Sequence, residues 1–198
     1  MLAHQYAKQV ELASWIDKNF KIGLPVDNSR LLFSISCFDL ALEHHASICL
    51  LFNAQRYGST FALLRLAFEA TVRGLFLLLC ATESEVSSFD KDTFDLKFKD
   101  MIVRIESHLS IENSGLSILR NTAWKIFNSF THSGVEQVIR RNRDALTGSV
   151  NYSEQELIQV LSLAGTFALL SASHLAALSK NELLINAILE KNREYAAK

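Results

Sequence analysis

Proline occurs once in 198 residues and glycine seven times. That is too few breaks for short strands joined by tight turns, so long uninterrupted helices are expected. Neither sign of charge is in excess: 21 acidic against 20 basic residues leave a formal charge of −1. No overall field therefore draws the chain onto nucleic acid or a membrane surface, and any such binding must come from a local patch. Cysteine is scarce and odd in number. Cys37, Cys49 and Cys80 lie far apart among apolar neighbours and read as reduced core thiols, which argues against a disulfide framework. The opening MLAHQYAKQVELASW has no basic start followed by an apolar run, so no secretory signal and a cytoplasmic location are expected. Glu43, His44 and His45 do not make an HExxH spacing, and Cys-x-x-Cys, GxSxG, P-loop and dinucleotide motifs are all missing. No metal and no cofactor are expected.

What the chain does have is apolar residues, 49 % of it, enough for one sizeable core in a single domain over residues 1–198. Leu2, Tyr6, Val10, Ala13, Ile16 and Phe20 recur at helical steps and predict a first helix over about 2–20. Asp27, Asn28 or Ser29 can cap a second over about 30–54 that is apolar on most sides, with Asp39, Glu43, His44 and His45 inward or at a rim. A short turn over 55–59 returns a third helix antiparallel to it. The serine-rich interval Thr82–Asp92 is expected to be a mobile loop, followed by an amphipathic helix from Asp92 or Thr93 with Phe94, Phe98, Met101, Ile105 and Leu109 on its apolar face. Leu116, Leu119, Ala123, Phe127 and Phe130 predict the next, stopping at Thr131–Gly134. Ser133-Gly134-Val135-Glu136 fits a capping box for a helix to about Asp144, and Ser153-Glu154-Gln155-Glu156 fits a second after a loop at Thr147–Asn151. Ile158–Leu178 holds no charged residue and is long enough to raise a membrane span, but its polar residues and balanced flanks favour the central helix of a bundle. A last helix over 181–198 frays at its end. The fold class is all-α, a single-domain bundle of six to eight helices.

The polar content is concentrated. In FALLRLAFEATVRGLFLLLCA, residues 61–81, the only charges are Arg65, Glu69 and Arg73, which share one helix face at i, i+4 and i+8. Two readings stand beside each other: an ion-pair ladder that fixes helix register, or a site in which one arginine pairs with Glu69 and the other keeps donors for a phosphate or carboxylate. His132 is the second candidate, flanked by the hydroxyls of Thr131 and Ser133 and followed by a helix start, where anions are favoured. Asn128 lies one turn before it, and Arg140, Arg141 and Arg143 form a basic run after it. The alternative for this stretch is an ordinary capped turn beside solvated arginines. One of His44 and His45 can also reach the arginine stripe.

LLRLAFEATVRGLFL, followed some sixty residues later by FNSFTHSGVEQVIRR, resembles an uncharacterised bacterial family of small all-helical proteins. There the matching segments read approximately leucine-arginine-proline-leucine-phenylalanine-glutamate and tyrosine-threonine-histidine-glycine-glycine. The likeness spans about Glu43–Arg141. The family is in turn similar to HEPN (higher-eukaryote and prokaryote nucleotide-binding) helical domains and to abortive-infection proteins of phage defence. That resemblance implies RNA cleavage or nucleotide binding, often as dimers, with histidine near the 2′-hydroxyl and arginine on the scissile phosphate. The sequence departs from the active HEPN spacing of an arginine, four to six residues, then a histidine: the window before His132 offers only Lys125, and Arg104 and His108 have three residues between them. Arg65 or Arg73 substitutes only if folding brings it to His132.

These readings combine into a HEPN-like protein of phage-defence or toxin type, a homodimer, binding RNA or a nucleotide and not a membrane. In it His132, Arg65, Glu69 and Arg73 carry the chemistry, as a metal-independent ribonuclease or nucleotide-processing enzyme if it is one. Asn128, Thr131, Ser133, Arg140 and Arg141 assist binding. The competing expectation is a non-catalytic interaction module with a protein partner.

Overall fold

The apolar spacing resolves, in a computed structural model describing residues 1–21, 23–24, 26–111, 114–141 and 152–197, into nine α-helices and no strand among the described residues. They are α1 (Leu2–Asn19), α2 (Ser29–Asn53), α3 (Tyr57–Leu79), α4 (Glu83–Asp90), α5 (Phe98–His108), α6 (Gly115–Thr131), α7 (Val135–Ile139), α8 (Glu154–Ser179) and α9 (Glu182–Ala197). Asn28 starts α2, its side chain accepting from the Leu31 N–H. A turn over residues 54–56, with Gln55 at φ 56°, reverses the chain into α3. The α2–α3 hairpin is the spine; α8 lies against α1, α2 and α3, while α5 and α6 cover another side of α3.

Close approach along the spine depends on glycine. A β-carbon on Gly74 would sit 2.6 Å from the fully buried Phe38 ring, so the two helices meet where one of them has no side chain. Phe68, also fully buried, stacks on Phe167 and meets Phe98 and Phe127 edge-on. One ring thus ties α3 to α8, α5 and α6.

A polar thread runs through the far side of the core. Gln9 Oε1 lies 3.1 Å from His45 Nε2 and its amide donates to Tyr195 Oη, which donates to the Ser162 carbonyl. Because a carboxamide oxygen only accepts, His45 carries a proton on Nε2. Burial lowers the His45 pKa to about 4. The thread joins α1, α2, α8 and α9, and Gly165 admits it: any β-carbon there would collide with Tyr195 Oη and Gln9 Oε1.

Several expectations change. The Thr82–Asp92 interval is not a loop but holds α4, started by a capping box in which Thr82 accepts from the Glu85 N–H and Glu85 reaches back. Arg104 clamps it, donating to both Glu85 oxygens and to the Cys80 carbonyl; that pairing brings the Glu85 pKa down to about 2. With α4 and the five-residue α7 counted, the described helices number nine, above the expected six to eight. α5 starts at Phe98, not Asp92: Phe94 packs on Phe76 and Phe89, and residues 93–97 stay outside any helix. α1 turns Gln9, Leu12 and Ile16 inward and leaves Val10 40 % exposed. Asp39 and Glu43 are exposed. The Ser133 capping box does not form: Ser133 sits at φ 53°, Gly134 is the N-cap, and Ser129 Oγ accepts from the Glu136 N–H instead. The Ser153 box forms with Glu156. The expected loop at Thr147–Asn151, and Arg143, lie outside the described residues.

The three cysteines are free thiols, and burial pushes Cys37 and Cys49 up to about 11. Among the described residues two helices, α2 and α8, are long and apolar enough to cross a membrane; 61 % of the α8 window is buried inside the fold, as the central helix of a bundle would be.

Candidate anion site

Arg65 projects from the first half of α3 toward the end of α6. Its Nε donates to Glu69 Oε1 at 2.7 Å, one turn along the same helix. Its Nη1 lies 2.7 Å from His132 Nε2, the C-cap residue of α6. The guanidinium carbon sits 4.8 Å over the Trp124 ring, whose own ring stacks on Phe98 at 4.7 Å and 13°. Glu69, His132 and Trp124 therefore fix the fork in one orientation. The Arg65 and Glu69 side chains are only 14 % and 16 % exposed, shielded enough that the pair is worth more than a surface ion pair.

The protons follow from the donors. A guanidinium has hydrogens and no lone pair, so Nε2 of His132 accepts and the ring's proton is on Nδ1. Arg65 Nη2 has no hydrogen-bond partner among the described residues. Both hydrogens of Nη2 and the second hydrogen of Nη1 remain for an incoming oxyanion, in the planar fork that phosphate and carboxylate match.

Arg73 does not join this cluster. Eight residues along α3 the stripe has rotated by about 80° and risen by about 12 Å. The guanidinium lies near Cys37 of α2, lowering a thiol that burial raises more strongly. Its Nε is buried without a partner, and the expected three-membered ladder is a pair. Among the described residues neither histidine of α2 bonds to the stripe, and His45 is taken up by Gln9.

The remaining expected residues divide. Asn128 gives its carbonyl to the His132 N–H, and its Oδ1 is buried without a partner. The Thr131 hydroxyl donates back to the Phe127 carbonyl. Ser133 supplies the left-handed turn and no cap. Arg140 binds Glu156 at 2.6 Å and lies over Phe130 and Tyr152, so it fastens α7 to the start of α8. Arg141 lies over the start of α3, where a β-carbon on Gly58 would come 2.9 Å from its Nη2. Trp124 was not singled out in the sequence. Its only signal is its place eight residues before His132, which puts it near the α6 face that carries His132 toward α3.

A shallow basic pocket of about 240 Å³ continues past Trp124, bounded by Lys97, Lys99, Asp100 and Arg120. Among the described residues no group of three or more His, Cys, Asp or Glu side chains is placed to hold a metal ion.

Comparison with curated proteins and with solved structures finds no match. One family pattern does match, over residues 38–198, which takes in α3, the end of α6 and every residue of the cluster just described. The chain belongs to DUF6988, a family of unknown function.

Proposed function

We propose that this chain binds the phosphate of a nucleotide or of RNA at the Arg65–His132 pair, as a HEPN-like cytoplasmic protein of bacterial phage-defence or toxin type. The observation that carries the reading is the 2.7 Å contact between Arg65 Nη1 and His132 Nε2. The sequence lacks an arginine at HEPN spacing before its histidine, and the neighbouring helix supplies one. Glu69 and Trp124 hold that arginine, and its unpartnered Nη2 is available to a phosphate oxygen.

The same contact suggests how binding leads to chemistry. While Arg65 donates to Nε2, the histidine's lone pair is occupied. A phosphate competes for Arg65 with a full negative charge and draws the guanidinium onto itself. Nε2 is then free to take the proton of an RNA 2′-hydroxyl as that oxygen attacks phosphorus. The bond to the 5′-oxygen breaks, and the imidazolium or water returns a proton to it. A second copy is the proposed partner, because Ile118 and Ile126 of α6 and Val135, Val138 and Ile139 of α7 expose apolar side chains.

The alternative, a non-catalytic interaction module, rests on the depth of the Arg65–Glu69 pair. Titration of wild type, Arg65→Gln and His132→Ala with adenosine monophosphate and with a short RNA separates the two, after all three are shown to melt cooperatively. Loss of one charge-assisted fork is worth ~1.5–3 kcal/mol, so Arg65→Gln should weaken binding by at least about tenfold. His132→Ala should bind but not cleave. No binding and no cleavage by wild type would leave the scaffold reading.

A further inference from the structure

At the opposite end of α6 from His132, about 24 Å away at helical rise, lies a cavity that the anion site does not use. It measures about 510 Å³ and is walled by α3, α5, α6 and α8, with Leu75, Ile105, Leu119 and Phe167 among its lining. Among the described residues no charged side chain lines it. The volume falls within the 300–1,000 Å³ range of small-molecule sites, which hold roughly one to two dozen non-hydrogen atoms.

Its few polar groups define what it accepts. The Ser114 hydroxyl donates to Glu106 and Thr166 donates to the Ser162 carbonyl. The start of α6, the one place on the rim where an anion would be welcome, is already occupied: Glu106 accepts from the N–H groups and hydroxyls of both Ser114 and Ser117. His174 differs. Its Nδ1 lies 2.8 Å from the Leu170 carbonyl, which only accepts, so Nδ1 bears the proton. The ring is held flat on Phe38, 5.2 Å between centroids. In this tautomer Nε2 is an acceptor, and it has no partner among the described residues.

We propose that this cavity binds an uncharged, largely apolar molecule carrying one hydrogen-bond donor, its chain among the leucines and its donor on His174 Nε2. A carboxylate or phosphate head is disfavoured because, among the described residues, no cation lines the cavity and the α6 start is filled by Glu106. The site is independent of the phosphate reading.

Three probes of equal length test it by methyl NMR titration: 1-decanol, 1-methoxynonane, which lacks the donor, and decanoate at pH 8. The expected order is decanol tightest, the ether about tenfold weaker and decanoate weaker still. His174→Phe keeps the ring on Phe38 and should erase the difference between alcohol and ether. Thr166→Lys, at an exposed rim position, should turn the preference toward decanoate. Leu119→Trp should block all three without lowering helical content. Equal binding of alcohol and ether by wild type overturns the assignment to His174. Decanoate binding as tightly as decanol overturns the neutral-ligand claim. A dimer whose interface covers the cavity methyls and excludes every probe overturns the site.

Discussion

His45 gives a pH dependence with a calculable sign. The ring is 1 % exposed on α2, and burial lowers its pKa from 6.5 to about 4. In the unfolded chain it takes up a proton near pH 6.5; in the fold it does so only near pH 4. Between these values the unfolded state binds more protons, so stability rises with pH: it is full above about 6.5 and is lost as pH falls toward 4. Going from pH 7 to 5 should cost about 2 kcal/mol, out of a limit of about 3 for the whole window. His44 shifts in the same direction by burial and adds to the slope. Glu85 and Glu156, both held down to about 2 by arginine partners, contribute stability that is lost only as pH falls below about 4.5, outside the upper part of the window. Urea unfolding of wild type and His45→Gln at half-unit steps from pH 7.5 to 4.5 reads the effect. Glutamine keeps a donor for Gln9 but does not titrate, so the variant should flatten most of the slope while starting from a lower stability at pH 7.5. If the variant and wild type lose stability in parallel, the buried imidazole is not its source.

Gly74→Ala should destabilise by roughly 1–3 kcal/mol in urea unfolding, because overpacking against Phe38 outweighs alanine's better helix propensity; a neutral or stabilising result would show that the ring yields. Trp124→Ala should weaken phosphate binding several-fold with unchanged circular dichroism, since it removes the face that orients Arg65 and leaves every charge in place. Arg104→Met should speed hydrogen exchange across α4 by at least tenfold while leaving α2, α3 and α8 unchanged, because Arg104 is what joins Glu85 to the Cys80 carbonyl.

The long helices were legible because apolar period and caps agree in them. Asn28 and Ser153 cap where expected, and α3 shows its charged stripe without any tertiary information. The failures share one cause, a local signal overruled or supplied by distant partners. Gln9 faces inward because His45 and Tyr195, distant in sequence, complete its hydrogen bonds; hydrophobicity points to Val10. Thr82-x-x-Glu85 has the capping-box pattern in the sequence, but the serines around it suggest a loop, and Arg104 adds the missing stabilisation. Ser133 fits the same pattern and does not use it, because Ser129 reaches the amide first. At the site, the sequence gives Arg65, Glu69 and His132 as separate candidates; only the crossing of α3 and α6 tells that Arg65 meets His132 and that Arg73, turned toward α2, does not.

The most direct test of the phosphate reading is to follow the His132 ring nitrogens by NMR while inorganic phosphate and then adenosine monophosphate are added at pH 7.5. With Arg65 bonded to Nε2, the free protein should show the tautomer protonated on Nδ1. Binding should move the Nε2 and Arg65 Nη signals together and saturably, as the guanidinium turns to the anion. Ring and guanidinium signals that stay fixed at saturating anion, or move only as remote surface lysines do, would contradict it.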